Sequence, residues 1–443
     1  MAPKKKSDAK PKNAGPAWRQ YLRILGPGLV TGASDDDPSG VATYAQAGAG
    51  HGLGFLWTAL LTFPLMAAVQ EICDRTALAT GVGLGELASK RFHRTGRTIV
   101  ALLLGVLMVA NTLNVAADLV AIGSGMNLLH AGPTWLWALL AGATITALLT
   151  KDSYAKIAVI FKILCLSLLV YIVDAIIVTH QWTHLLESTI VPHFEFNRGF
   201  IALFVAILGT TISPYMFFWQ SAQRVEEMRD EPQGGKKAIP LGREGRARAR
   251  QKERSSRQDV FTGMAFSNIV MYAIIATTAE TLHVHHIAHI QSAAQAATAL
   301  KPFAGRFASA IFALGFIGSG LLAIPALVAS GSVGLSGLMG RDWGFSKSLR
   351  QAPLFYGLVA VGTLGGTALS LLHVNPIKLL VVVAIINGVI AAPMLVIVMR
   401  VSASRAIMGK YVNGRLASGL GWLTALIMAG AAVAFFATGG LSF

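Results

Sequence analysis

Asp35, Asp36 and Asp37 are three consecutive carboxylates, followed by Pro38, Ser39 and Gly40 and preceded by Gly32. Carboxylate oxygens are hard ligands, suited to holding a hard cation. Their surroundings make the triplet unusual. Apolar residues flank it on both sides, Ile24–Val30 before and Val41–Ala49 after, in a run long enough to cross a bilayer. Charged side chains at that depth are expensive and mark substrate or ion pathways. Pro38 and the two glycines break a helix. Broken backbone is tolerated there only where it is buried in protein or lines a wet cavity. The first span therefore reads as two half-helices around an acidic gap.

A second interruption lies far along the chain, at Gly209-Thr210-Thr211-Ile212-Ser213-Pro214-Tyr215 within the apolar run Phe200–Gln220. It falls in the sixth span, as the first falls in span one. Interrupted segments at corresponding positions of two five-span halves point to an inverted-repeat secondary transporter, with its site at the midplane between the breaks. Unwound carbonyls and half-helix C-termini there would add oxygen and negative dipole to the carboxylates. The substrate this favours is a cation.

The helices needed to hold these residues in place can be read from composition and periodicity. Of 443 residues, 54% are hydrophobic and 13% charged, against about 25% charged in a soluble protein. The expectation is an all-α polytopic membrane protein. An outer-membrane barrel is excluded, because the apolar runs are continuous and about 20 residues long. Eleven spans can be counted: Tyr21–Gly48, Gly54–Arg75, Thr98–Leu128, Thr134–Thr150, Ala155–Val178, Phe200–Gln220, Val260–Glu280, Pro302–Gly331, Ala352–Leu372, Lys378–Met399 and Leu420–Thr438. They divide into a basic tail at 1–20, a first five-helix repeat at 21–180, a second at 198–400 and an eleventh helix at 419–438.

The net charge of +16 would suggest nucleic acid in a soluble chain, but here the basic residues sit in alternate loops. Residues 1–23 and the 90–97, 151–156, 224–257, 341–350 and 400–415 segments together hold 31 of the 37 Lys and Arg. This places the N-terminus in the cytoplasm and the C-terminus outside, in what reads as a bacterial inner membrane. The tail carries no apolar signal-peptide core of its own. Glu226–Asp259, with its basic 224–258 stretch, reads as a disordered loop, or more sharply as an anionic-lipid contact or regulatory site. It has no aromatic interleaving or folded module for nucleic acid. His283, His285, His286 and His289, with His180, His184 and His193, crowd the opposite loops. They read as polar solvated loops, or as weak metal-gathering or pH-sensing groups. Cys73 and Cys165 read as small core residues rather than a disulfide or metal pair. No HExxH, GxSxG or paired-aspartate protease signature supports a membrane-embedded enzyme, and no repeated pore loop supports a channel. A sodium-coupled organic-solute carrier is disfavoured, because the triplet would repel a substrate carboxylate. No resident cofactor is called for, and the sequence leaves the oligomeric state open, a monomer being compatible with it.

On GPGLVTGASDDDPSGVATYAQAGAGHG, RTALATGVGLGEL and GTTISPY, nearly the whole chain resembles the Nramp family of divalent-metal transporters. The resemblance implies a leucine-transporter-type 5+5 inverted repeat of ten core spans, often with an eleventh. Asp37 and Pro38 fall on the family's Asp-Pro-Gly-Asn signature, where Ser39 and Gly40 replace Gly-Asn. Thr210 falls where the family has an Ala whose carbonyl binds metal. Ser213 and Tyr215 replace the Met and His of the family's Met-Pro-His. The resemblance implies a site of Asp37, the Gly40 and Thr210 carbonyls and the Ser213 hydroxyl, with Asp36, Ser39, Tyr215, Asp118 and Asn387 in support. Asp118 reads equally as a solvated cavity residue, and Asn387 as a helix-packing one.

Loss of the soft thioether leaves oxygens only, with room for metal-bound waters, which suits Mg²⁺. The pattern resembles the Nramp-related magnesium transporter branch, so Mg²⁺ is the favoured cargo and Mn²⁺ a second one. The family's proton relay uses the sixth-span His, third-span acids and a ninth-span Arg. Here Tyr215 replaces the His, and an unperturbed tyrosine ionises only near 10. Asp118 lacks an acidic neighbour, and Ala352–Leu372 contains no Lys or Arg. Uncoupled or weakly proton-coupled transport is expected, against the alternative of a proton-coupled Mn²⁺/Fe²⁺ symporter.

Overall fold

Proline sets the start of many of the helices. Pro38, Pro214, Pro353 and Pro376 each occupy a first helical turn, where a missing N–H leaves no bond unmade and φ is already helical. The computed structural model describes residues 27–151, 168–231, 237–372 and 375–440, and every regular element among them is a helix. The principal helices are α1 (Pro27–Asp35), α2 (Pro38–His51), α3 (Trp57–Thr80), α4 (Leu84–Arg91), α5 (Arg94–Leu128), α6 (Thr134–Lys151), α7 (Leu169–Val178) and α8 (Trp182–Ile190). They continue with α9 (Arg198–Thr211), α10 (Pro214–Asp230), α11 (Arg246–Thr278), α12 (Ala308–Leu338), α13 (Pro353–Ser370), α14 (Pro376–Ser402) and α15 (Arg415–Ala437). The basic tail at 1–20, Lys156 and Cys165 lie outside the described residues, while Cys73 is a buried free thiol.

Among the described residues the long helices follow the apolar runs, and both expected breaks are present. The stretches of α5, α9 with α10, α11, α12, α13, α14 and α15 are each long and apolar enough to cross a bilayer. The described part of the first span is the pair α1 and α2, and a bend of 110° separates the stretch Pro38–Phe55 from α3. The fourth and fifth are the apolar helices at Thr134–Leu149 and Leu169–Val178.

The 226–259 segment departs from expectation. Instead of a disordered loop throughout, α10 runs on to Asp230 and α11 begins at Arg246, with a 3-10 turn at Leu241–Arg243 before it. Arg, Lys, Gln, Glu and Ala are good helix formers. Lys252 pairs with Glu231 at 2.7 Å and Glu244 at 2.6 Å, and Arg248 with Glu231 at 3.0 Å. These bonds carry the helix well beyond the apolar run.

Two central pairings arrange the bundle. α11 lies against α1, α2 and α3, and α14 lies against α9, α2 and α15, while α12 packs along α5. Gly32 sits directly on the backbone of Gly263, and Gly209 on that of Ala384 and Gly388, so any side chain at either position would collide with main chain. The broken helices are thereby held backbone-to-backbone against α11 and α14. The basic loops share one face, where Arg91 donates to Arg400 O at 3.3 Å and Arg229 to Trp343 O at 3.1 Å. The histidines gather at the other, where His193 meets Glu195 at 3.2 Å and His283 meets Ala49 O at 2.9 Å.

Candidate functional site

The first break exists because Asp37 caps the start of α2. Its backbone is extended (φ −67°, ψ 169°), and Oδ1 accepts from the Gly40 amide at 2.8 Å and from the Ser39 hydroxyl at 2.6 Å. That is an N-cap ahead of a proline-started helix. Gly40 lies in the first turn of α2, and a Cβ there would crowd Asp35 O and the Tyr44 ring, each at 3.3 Å. Across the gap, the Ser267 hydroxyl of α11 lies 2.5 Å from Asp35 Oδ2 and 3.2 Å from Asp36 Oδ1. The remaining oxygens, Asp35 Oδ1 and Asp36 Oδ2, are buried without a partner.

The second break is capped in the reverse sense. Ser213 precedes Pro214 at the N-cap of α10, yet its hydroxyl turns back to Gly209 O and Thr210 O, both at 2.7 Å. It thus satisfies carbonyls that the end of α9 leaves free. The two breaks touch directly. Tyr215 Oη donates to Ser34 O at 3.1 Å, and the Thr210 hydroxyl lies 3.0 Å from Tyr44 Oη.

Asp118 of α5 is fully buried, and neither of its oxygens has a hydrogen-bond partner. Its helix packs against α2, which begins just after Asp37. Asn387 of α14 is turned to Asn114, whose Nδ2 donates to Asn387 Oδ1 at 3.2 Å, while Asn387 Nδ2 is unpartnered. Asn387 is therefore a helix-bridging residue with one free donor.

The structure brings Asp35, Asp36, Asp37, Ser39, Gly40, Thr210, Ser213 and Tyr215 to one buried junction, with Asp118 buried on the neighbouring α5. No side chain of the four aspartates exceeds 2% exposure. Among the described residues none of the four has a basic side chain within ion-pair distance. Nor, among the described residues, do any three His, Cys, Asp or Glu side chains converge to the spacing of a metal cage, here or at the histidine-rich face. Sequence reasoning missed Ser267, Tyr44 and Asn114. Ser267 and Asn268 do stand as a polar pair inside FTGMAFSNIVMYAII, which is a readable signal.

Both sides of the junction are shut. Toward the basic face, Arg224 of α10 is buried among carboxylates from three helices. It donates to Asp74 Oδ1 at 2.7 Å, to Asp259 Oδ2 at 3.3 Å and to Glu227. Asp259 in turn accepts from the Gly28 amide at 2.7 Å, tying down the start of α1. Gln220 and Ser256 complete the shell of Asp74. The sequence counts Arg224 with the solvated basic loop; its partners on α3 and α11 draw it inside instead. Toward the histidine-bearing face, Gln46 of α2 bonds Ala288 O at 2.7 Å and the Ile290 amide at 3.0 Å, and Phe55 stacks on Phe200 at 4.2 Å.

Two interrupted helices meeting at a buried carboxylate cluster, within paired sets of five spans, define a membrane transporter of the leucine-transporter-type fold. The fold matches the Eremococcus coleocola manganese transporter with a TM-score of 0.72 at 15% identity, covering 98% of this chain and 90% of that one. It matches Mhp1, a nucleobase-cation-symport-1 family transporter, at 0.54 and 14% identity, covering 94% and 91%. Residues 28–438 match the family model Nramp, described as natural resistance-associated macrophage protein-like, and the chain belongs to that family. Among curated relatives, the divalent metal cation transporter MntH of Ralstonia nicotianae is 24% identical over 425 residues, covering 92% of this chain and 89% of the relative. Metal transporter Nramp1 of Oryza sativa subsp. japonica is 27% identical over 210 residues, covering 47% and 40%.

Proposed function

We propose that this chain carries divalent metal cations across the membrane by alternating access, with Mg²⁺ as the favoured cargo and Mn²⁺ as a second. The observation that carries the reading is the set of four buried aspartates, without a basic partner among the described residues, at the meeting of two helix breaks. A buried carboxylate without a counter-charge costs several kcal/mol, and a bound cation supplies that charge. The family membership and the names of relatives, divalent metal and manganese transporters, support metal as the cargo.

In this reading Asp37 compensates the ion's charge, directly or through water. Ser213 and the Thr210 carbonyl bond one another at 2.7 Å, so rotation of the Ser213 hydroxyl toward the gap frees both oxygens together. Gly40 keeps the wall small, Ser39 holds Asp37, and Asp35 and Asp36 raise the negative potential on the approach. The oxygen-only character of these groups, with no thioether or imidazole among them, supports a hard ion such as Mg²⁺. Tyr215 holds Ser34 O rather than relaying protons, which supports uncoupled or weakly coupled movement, with the N-terminus cytoplasmic and the C-terminus outside. The second reading, a proton-coupled Mn²⁺/Fe²⁺ symporter, is favoured by one specific observation: Asp118 stands buried and unpartnered on α5, which packs against α2.

The test is uptake into proteoliposomes with Mg²⁺ and Mn²⁺ compared and internal pH followed. Mg²⁺ entry without acidification is expected. Mn²⁺ entry with acidification, and neither entry nor competition by Mg²⁺, would establish the symporter instead.

A further inference from the structure

α11 extends several turns beyond its apolar run, and its outward face carries a single stripe. Arg246, Arg250, Arg254 and Arg257 are exposed, and Phe261, next in the series, is 41% exposed. Spacings of four, four, three and four residues at 100° each keep all five within about 80° of one another on the helix surface. The arginines on the other face are spoken for, with Arg248 and Lys252 bonded to Glu231 and Glu244. Among the described residues neither Arg250 nor Arg254 has a carboxylate within ion-pair distance. Arg257 reaches Glu71 of α3 at 3.7 Å while remaining 59% exposed.

Arg250, Glu253, Arg254, Arg257, Gln258 and Phe261 line one open cleft of about 640 Å³. Phe261 is its one apolar lining residue, edge-on to Phe63 of α3 at 6.5 Å. Glu253 is the sole acid in it. Depth decides what the cleft can meet. The apolar run of α11 starts at Val260. At about 1.5 Å per residue, Arg257 and Arg254 stand roughly 5 and 9 Å above it. The headgroup layer is about 5–8 Å thick on each side of the hydrocarbon core. Arg257 therefore falls within the headgroup layer, Arg254 at its outer edge with a side chain long enough to reach back into it, and Phe261 at acyl level.

We propose that this cleft binds the headgroup of an anionic glycerophospholipid. Its phosphate lies between Arg254 and Arg257 with Arg250 above, and its acyl chains run down past Phe261 between α3 and α11. Arginine's planar fork suits phosphate oxygens, and Phe261 makes the cleft fit a lipid better than a soluble anion. The N-terminal tail is itself basic, so its charge does not complement this face.

The test uses the full-length protein in micelles, titrated separately with phosphatidylglycerol, phosphatidylcholine and inorganic phosphate. Binding is read by native mass spectrometry and stabilisation by thermal unfolding. Phosphatidylglycerol should bind and raise the unfolding temperature, and the other two should not. Removing two surface arginines should weaken phosphatidylglycerol about thirtyfold in R250Q/R254Q, and about fivefold in R254Q alone. R94Q/R97Q, in the separate basic patch at 90–97, should stay within about threefold of the unaltered protein. Unchanged binding in R254Q and R250Q/R254Q would overturn the proposal. So would an equal loss in R94Q/R97Q, which would mean diffuse charge. Equal stabilisation by inorganic phosphate or phosphatidylcholine would overturn it too.

Discussion

Tyr215 Oη donates to Ser34 O at 3.1 Å, so the start of α10 holds the open end of α1. One hydroxyl thus joins the two breaks, at the position where the family's signature has an ionisable ring. Tyr215→Phe removes this bond and nothing else at the junction. The loss expected is about 1 kcal/mol of stability, seen as a lower unfolding temperature, with uptake reduced but present. Complete loss of uptake in a folded Y215F protein would mean that the hydroxyl itself serves the ion.

Asp37 has two duties that one pair of variants separates. Asn caps a helix as well as Asp does, so Asp37→Asn should unfold within a few degrees of the unaltered protein while losing the charge. Uptake should fall at least about a hundredfold in both D37N and D37A. Transport retained in D37N would assign Asp37 a purely structural part.

Ser213→Met replaces a hydroxyl that bonds Gly209 O and Thr210 O with a soft thioether. Thioether ligands favour softer metals, so competition assays should shift by about tenfold toward Mn²⁺ or Cd²⁺ over Mg²⁺. An unchanged preference would place the side chain away from the ion.

Arg224 is the charge on which Asp74 and Asp259 both depend. Breaking a buried pair by deleting one partner costs about 3–5 kcal/mol. Arg224→Ala should therefore lower the unfolding temperature far more than Asp259→Asn, which keeps an acceptor for the Gly28 amide. Equal, small effects would show that the cluster is wet and screened.

At the opposite face, Glu195 is held below the ordinary glutamate value of 4.5, chiefly by the His193 hydrogen bond, with Asn197 and His51 assisting. A depressed folded value adds stability above the unfolded value, and that stability is lost as pH falls through the folded one. The acid limb of unfolding temperature against pH should therefore be shallower below 4.5 in Glu195→Gln. The effect is small, because Glu195 is solvent-screened. Identical profiles would mean that the His193 contact carries no stability in solution.

Much of the fold is legible in the sequence because its two strongest signals are local. Asp37-Pro38 and Ser213-Pro214 announce helix breaks wherever they stand, and apolar runs announce spans. Arg224 is not legible, because charge alone assigns an arginine to water. Its burial depends on Asp74 and Asp259, 150 and 35 residues away. The 226–259 segment reads as disorder because its composition is that of a polar linker, whereas its helix rests on pairs between Lys252 and two glutamates. Ser267 and Tyr44 join the site through contacts that cross the two halves, which no local pattern reveals. Thr210, Ser213 and Asn387 can be placed on helices from sequence, but the directions of their hydrogen bonds cannot be read there.

Asp37 Oδ1 is already occupied by the Gly40 amide and the Ser39 hydroxyl. A cation that keeps its water shell can be met through those waters with the cap intact. A stripped cation seeking that oxygen must compete with the first turn of α2. By reciprocity, whatever firms that turn then disfavours the naked ion by the same factor. In the proposed mechanism the beginning of one helix would then act as a hydration gauge, weighing how much water an ion brings to Asp37.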